Sequence, residues 1–268
     1  MLNAKNGRLS LPTGALDYIR FGSGSRTLVM LPGVGDGLQT VKGTALPFAL
    51  LYRALTKDFT VYVFSRGVSL APGTTTRDMA EELNAAMEAL SLRGAAVVGV
   101  SQGGMIAQWL AIEHPDKVAR LVLTVTAARP NDTLREAIGL WTAQARRGDY
   151  RGIMLDTAAR SYSPKRAKQA RLTYGLLGSF GKPKSFERFL IQAVSCLSHD
   201  AWERLGEIAC PTLVIGGTDD RVTLGAASEE LASRIPGAEL RLYEGLGHGL
   251  YEEAPDFLTL ISDFCREV

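Results

Sequence analysis

An apolar run with no polar alternation, Ala95-Ala96-Val97-Val98, ends in Gly99-Val100-Ser101-Gln102-Gly103. The chain then passes directly into an amphipathic segment with Met105, Ile106, Trp109 and Leu110 at helical spacing. A strand that is apolar on both faces and turns straight into a helix belongs to a parallel sheet covered by helices on both sides. The turn itself is too tight for ordinary residues. Flanking glycines remove the Cβ atoms that would collide there. The Ser101 hydroxyl is thereby pushed above the sheet, next to the first free N–H groups of the helix. That placement suits a nucleophile and the oxyanion it creates.

The rest of the chain agrees with this architecture. Strands are predicted at Leu16–Phe21, Thr27–Leu31, Phe59–Phe64, Leu121–Val125, Pro211–Gly216 and Glu239–Tyr243, besides the run at Ala95. Helices are predicted at Ala45–Thr56, Thr75–Ser91, from Gln102 to about His114, Leu224–Arg234 and Glu253–Glu267. Met79, Leu83, Met87 and Leu90 recur at helical steps, and Thr75 with Asp78 resembles a capping box. Strands alternating with helices imply right-handed crossovers and a mostly parallel sheet.

The alternation stops between residues 127 and 199. That stretch reads as four helices, near Thr133–Arg146, Tyr150–Arg160, Pro164–Leu177 and Lys184–Leu197, with Ser163-Pro164 as an N-cap and first helical position. It is predicted to be an all-helical cap (127–199) inserted into a core formed by 1–126 and 200–268. Trp141, Tyr150, Tyr162, Tyr174, Phe180, Phe186 and Phe189 supply its apolar material, and aromatics such as Trp141 are candidates for lining a substrate pocket. From Arg129 to Arg188 there are thirteen Lys/Arg against five Asp/Glu, a surplus of eight in a chain whose net charge is +2. The favoured reading is solvated helix faces. The competing one is a positive field that draws in an anionic substrate.

Net charge of +2 gives no general argument for nucleic acid or a membrane surface as a partner. Cys196, Cys210 and Cys265 fit neither a zinc spacing nor a closed disulfide framework, and reduced thiols suit the cytosol. The first residues lack an apolar signal stretch, and no apolar run nears the roughly 20 residues that span a bilayer. A soluble cytoplasmic protein is expected.

A serine hydroxyl needs a base, usually histidine. Three histidines are available. His114 ends the helix after Ser101, roughly 20 Å of rise away. His199 closes the helical segment and could approach from above. His248, in Gly245-Leu246-Gly247-His248-Gly249, follows the last predicted strand, so it emerges on the sheet edge that carries Ser101. His248 is the expected base. Its acid partner comes from the loop after Pro211–Gly216, where spacing leaves Asp219 and Asp220 both open. The oxyanion needs N–H donors. Gln102 N–H is one. Pro32-Gly33-Val34-Gly35-Asp36-Gly37 should supply the other, with Val34 N–H preferred and Gly33 or Gly35 as alternatives. This loop has neither the full G-x-G-x-x-G spacing nor a P-loop lysine, so nucleotide binding is not the expected use.

Together these segments resemble the α/β-hydrolase fold superfamily. The resemblance is carried by Leu31-Pro32-Gly33-Val34-Gly35, Gly99 to Gly103, Pro211 to Asp220, and Gly247-His248 through Glu253-Ala254-Pro255. It implies an eight-stranded, mostly parallel α/β sheet with a helical cap after strand six. It also aligns the family's acid with Asp220, and its oxyanion residue with Val34. Pro32 stands where the family has histidine, and Leu224 where it has proline. Phe64-Ser65-Arg66-Gly67-Val68-Ser69 lacks the first aspartate and second glycine of D-x-R-G-x-G-x-S. The chain looks like the small bacterial, helical-capped branch of esterases, enol-lactonases and C–C hydrolases. The expected function is cleavage of a small carboxylic ester or lactone, with Ser101, His248 and Asp220 as a triad and no metal or organic cofactor. The alternatives are a C–C hydrolase or thioesterase of the same fold, and a small-molecule receptor that keeps the fold.

Overall fold

The computed structural model describes residues 2–177 and 181–267, with only the backbone of 174–177. The Phe180 position and the Tyr174 side chain therefore lie outside the described residues. One sheet is built from β1 (Lys5–Leu11), β2 (Gly14–Gly22), β3 (Arg26–Leu31), β4 (Phe59–Gly67), β5 (Ala95–Val100), β6 (Val118–Thr124), β7 (Thr212–Gly217) and β8 (Glu239–Tyr243). Their order is β1-β2-β4-β3-β5-β6-β7-β8. β2 runs antiparallel to both of its neighbours, and every other pair is parallel.

The helices are α1 (Ala45–Leu51), α2 (Thr76–Ala89), α3 (Gln102–Glu113), α4 (Asp132–Arg146), α5 (Tyr150–Ser161), α6 (Pro164–Leu177), α7 (Glu187–Leu197), α8 (Gly225–Arg234), α9 (Leu250–Glu253) and α10 (Phe257–Arg266). β5 shows why the sheet needs cover on both faces. Ala95 and Val97 join a core cluster with Leu83, Met87 and Leu110, whereas Ala96 and Val98 join one with Ala49, Phe257 and Ile261. Successive strand residues point to opposite faces, so a strand without polar alternation is buried twice. Four helices, α4 to α7, stand between β6 and β7 over the carboxyl edges of the strands. A third cluster, including Met105, Trp141, Ile153 and Phe189, packs α4, α5 and α7 onto α3, and α6 packs on α5.

The structure departs from the sequence expectations in four places. β1 was not among the predicted strands. It is an edge strand with exposed and half-buried residues, and only Leu9 and Leu11 mark it as apolar. The helix expected over Ala45–Thr56 is α-helical only to Leu51 and closes with a 3-10 turn at Arg53–Leu55. The helix expected over Glu253–Glu267 is split into α9 and α10. Pro255 lacks an N–H and pushes Ala254 to an extended ψ of 117°. The segment after Ser101 is not amphipathic in place: Gln102 through Ile112 are all buried, beneath α2, the sheet and the cap helices. The Thr75–Asp78 capping box is present, with both reciprocal bonds.

Candidate active site

β5 delivers Ser101 at the sheet's carboxyl edge with φ 54° and ψ −120°, a conformation that a side chain rarely tolerates. The glycines around it are required by space. A Cβ on Gly103 would stand 2.1 Å from the Leu31 carbonyl oxygen, and one on Gly99 would stand 2.5 Å from that of Gly103. The strained turn is held from the next strand. Ser101 N–H donates to Thr124 O at 2.9 Å, and Thr126 Oγ1 donates to Ser101 O at 2.7 Å. Thr126 was not singled out from the sequence, because its role depends on the neighbouring strand.

The loops after β7 and β8 bring the other two groups. His248 Nε2 lies 3.0 Å from Ser101 Oγ, and His248 Nδ1 lies 2.8 Å from Asp220 Oδ2. His248 and Asp220 are both buried. Asp220 also accepts from Val222 N–H at 2.7 Å, Thr223 N–H at 2.9 Å and Thr223 Oγ1 at 2.7 Å. Burial pushes the Asp220 carboxyl up. The His248 charge and hydrogen bond, with those from Val222 and Thr223, outweigh burial and hold it below the usual carboxylate value. The carboxylate is therefore ionised and its imidazole partner is held with Nδ1–H toward it. The bond from Val222 N–H, two residues beyond the acid, is the turn in which an Asp accepts from the backbone that follows it.

The remaining candidates lie elsewhere. Asp219 is exposed, and among the described residues its carboxylate accepts only from Thr218 Oγ1, at 3.3 Å. His114 bonds to Glu81 at 2.8 Å. His199 is buried between Thr76 Oγ1 at 2.9 Å and Gln108 Oε1 at 3.3 Å, and burial lowers its pKa to about 3. It is a neutral core histidine that ties α2 to α3.

Val34 opens a 3-10 turn, Val34–Gly37, and Gln102 opens α3. Among the described residues neither N–H has an acceptor, as is normal for the first residues of helical segments. The turn lies against the serine: a Cβ on Gly33 would be 3.8 Å from Ser101 Oγ. Two N–H groups without an acceptor thus begin the segments that follow Gly33 and Ser101, and the Ser101 hydroxyl has His248 Nε2 at 3.0 Å.

A cavity of about 560 Å³ opens beside Gly33 and Val100, the residues flanking this centre. Met30, Leu31, Phe48, Val63 and Leu258 make its walls apolar. Arg166 of α6, the one cation among its described lining residues, is paired with Glu252 at 3.4 Å. Trp141 is not part of this wall. It packs among the cap helices, and its indole N–H donates to Asp156 at 2.7 Å. A cleft of about 730 Å³ between α5 and α6, with Lys168, Arg171 and Arg221, includes none of the residues around Ser101.

A hydroxyl on a strand–helix elbow after β5, a carboxylate from the loop after β7 and an imidazole from the loop after β8 stand in that order along an eight-stranded sheet. Residues 26–255 match the family described as the alpha/beta hydrolase fold. The chain belongs to the α/β-hydrolase fold family. A protein of Caulobacter sp. (strain K31) with the provisional name carbamate hydrolase RutD is 28% identical over 254 residues, covering 87% of this chain and 88% of its own. The 2-hydroxy-6-oxononadienedioate/2-hydroxy-6-oxononatrienedioate hydrolase of Paraburkholderia xenovorans (strain LB400) is 27% identical over 269 residues, covering 93% and 90%. Among solved structures, MGS-M2, an alpha/beta hydrolase enzyme from a Medee basin deep-sea metagenome library, superposes with a TM-score of 0.86 at 21% identity over 98% of each chain. Family and relatives together make this α/β hydrolase an enzyme that hydrolyses a bond. Among the described residues no helix is long and apolar enough to cross a membrane.

Proposed function

We propose that this α/β hydrolase cleaves a small carboxylic ester or lactone through an acyl-enzyme on Ser101. The observation that carries the reading is the unbroken relay from Ser101 Oγ through His248 to Asp220, at 3.0 and 2.8 Å. Ser101 Oγ passes its proton to His248 Nε2 as it attacks the carbonyl carbon. The oxyanion faces the N–H groups of Val34 and Gln102. Asp220 stabilises the imidazolium and keeps its orientation. His248 then returns the proton to the departing alkoxide. Water, deprotonated by the same Nε2, attacks the acyl-enzyme, and collapse of the second tetrahedral intermediate releases the acid and restores Ser101.

An ester or lactone suits this set of groups because an alkoxide leaves once His248 protonates it. Cleaving a C–C bond expels a carbanion, a far more basic leaving group, and requires an electron sink in the substrate. The relative from Paraburkholderia is named for a dioate, a doubly anionic substrate. The cavity beside Gly33 offers largely apolar walls, and Arg166, the one cation among its described lining residues, is already paired. An uncharged acyl group fits it better than a carboxylate.

The test is covalent labelling joined to turnover. A fluorophosphonate should modify Ser101, mapped by mass spectrometry. Neutral p-nitrophenyl esters or lactones should turn over many times, and Ser101→Ala should abolish this. Labelling elsewhere would overturn the nucleophile assignment. Release of no more than one equivalent of product would instead favour a receptor. Preferred turnover of a vinylogous diketone would move the reading to C–C hydrolysis.

A further inference from the structure

One cap helix is bonded to both elements that present N–H groups to Ser101. On one side stands the turn Val34–Gly37. Its Asp36 carboxylate is buried and accepts from Arg66 N–H at 3.1 Å. Arg188, on α7, also donates to that carboxylate and to the Asp36 carbonyl. Arg188 reaches further, to the carbonyls of Arg66 at 2.9 Å and Gly67 at 2.8 Å. Gln192, one helical turn on, donates to Asp36 Oδ2 at 3.3 Å. On the other side stands Gln102. Its side-chain amide donates to the Gln192 carbonyl at 2.6 Å and to Ser195 Oγ at 3.1 Å. The helix also rests on the turn itself: a Cβ on Gly37 would stand 2.6 Å from Phe189 Cα.

This cluster is a poor device for stability. It sets one buried guanidinium, of Arg66, and one half-buried, of Arg188, around a single buried carboxylate. Burial pushes the Arg66 guanidinium down, with Arg188 adding to the shift and Asp36 opposing it. Among the described residues Asp36 Oδ1, Arg66 Nε and Arg66 Nη1 have no hydrogen-bond partner. Well-packed apolar side chains would stabilise such a site as well or better. What the ions add is geometry. Oxyanion donors act within about 2.7–3.1 Å of the developing charge, and a single 3-10 turn has little rigidity of its own.

We propose that α7 sets the oxyanion site, with Arg188 and the side-chain amide of Gln102 as positioning residues. The cap helix holds the Val34 turn and the start of α3 in register with Ser101. A core whose cap is displaced binds substrate but loses hold of the oxyanion. The proposal rests on the Ser101 reading above.

Arg188→Met and Gln102→Met test the two sides separately. The first leaves Asp36 and Arg66 to neutralise each other. The second keeps the Gln102 backbone N–H. Each should lower kcat about tenfold, less than the 10²–10³ cost of deleting a donor outright, with KM within about twofold. A boronic acid that forms a tetrahedral adduct with Ser101 should weaken by the same factor. An unreactive ether analogue of the ester should bind as before. Arg188→Lys, which keeps a charge for Asp36, should recover part of the loss.

Thermal melting establishes that each variant is folded. If Arg188→Met is not, Gln102→Met decides alone. Unchanged kcat in a folded variant would overturn the proposal. So would equal weakening of the boronic acid and the ether, which would show general damage to the site. If the fluorophosphonate labels a residue other than Ser101, the catalytic reading fails. If it labels Ser101 and the folded variants keep full kcat, only the role of α7 fails.

Discussion

Replacing Asp220 by asparagine should stop catalysis without unfolding the enzyme, and the hydrogen bonds around it show why. Oδ1 accepts two backbone N–H groups, from Val222 and Thr223, while Oδ2 faces Thr223 Oγ1 and His248 Nδ1. An asparagine keeps the two backbone bonds only if its carbonyl takes the Oδ1 place. Its NH2 group then points at Nδ1. Nδ1 becomes an acceptor, and the imidazole proton moves to Nε2, the atom 3.0 Å from Ser101 Oγ. The base now presents a hydrogen where it must present a lone pair. The opposite amide orientation sets NH2 against two backbone donors, so neither arrangement works. By analogy with the triad aspartate of serine proteases, kcat should fall about 10⁴-fold, near 5 kcal/mol in barrier height. KM should change little, because Asp220 lies behind the histidine. Asp219→Asn should cost less than about threefold by the same reasoning, because its carboxylate is exposed and among the described residues meets only Thr218 Oγ1, at a long 3.3 Å. Steady-state kinetics on one activated ester, with thermal melts as the control for folding, reads both. A folded Asp220→Asn enzyme with more than a tenth of wild-type kcat would refute the argument. So would a larger loss in Asp219→Asn.

Two further outcomes follow from packing and burial. Gly103→Ala should destabilise the fold by about 1–3 kcal/mol or more, read as a lowered denaturation midpoint, because its Cβ would press on the Leu31 backbone. Gly139→Ala, in α4 with open space around it, should instead stabilise by about 0.5–1 kcal/mol; the reverse order would break the steric reasoning. His199 has a folded-state pKa lowered from 6.5 to about 3 by burial. The unfolded chain therefore takes up the proton first, and stability falls as pH drops through about 6.5. By pH 5 the loss should reach about 2 kcal/mol. Urea titrations at pH 7 and pH 5 should show this difference shrinking in His199→Gln, and identical pH dependence in the two proteins would count against it.

The parts of the site that the sequence displayed are those carried by short segments at strand ends. Ser101 sits in a turn whose glycines and flanking apolar runs are contiguous. His248 and Asp220 each follow a strand, and a parallel sheet brings successive carboxyl ends to one edge. Spacing could not separate Asp219 from Asp220. The structure separates them because only Asp220 points inward, held by two N–H groups from residues just after it. Arg188 and Gln192 were invisible for the opposite reason. They meet Asp36 from about 150 residues away, and nothing local marks them off from the other polar residues of a helix. β1 escaped because an edge strand half open to water has little apolar pattern. α3 was misread because the periodicity of its large residues does not reveal that smaller ones are buried as well.

The surplus of positive charge in the cap takes on another meaning once its partners are seen. The rest of the chain is acidic to a similar degree, and several cap cations are directed at it. Arg188 reaches Asp36, Arg166 reaches Glu252, and the Arg129 guanidinium lies 4.1 Å over the Trp202 ring. The exposed Arg166–Glu252 pair contributes little on its own, because solvent and salt screen it. Arg188 differs, because its partner Asp36 is buried within the Val34–Gly37 turn. A cap held to the core by ion pairs, one of them from Arg188 to the buried Asp36, needs no anionic substrate to explain its composition. The largely apolar walls of the cavity beside Gly33, whose Arg166 is paired with Glu252, point the same way. Charge separates the two parts of this enzyme along the chain, and the same charge brings α7 down onto the turn that faces Ser101.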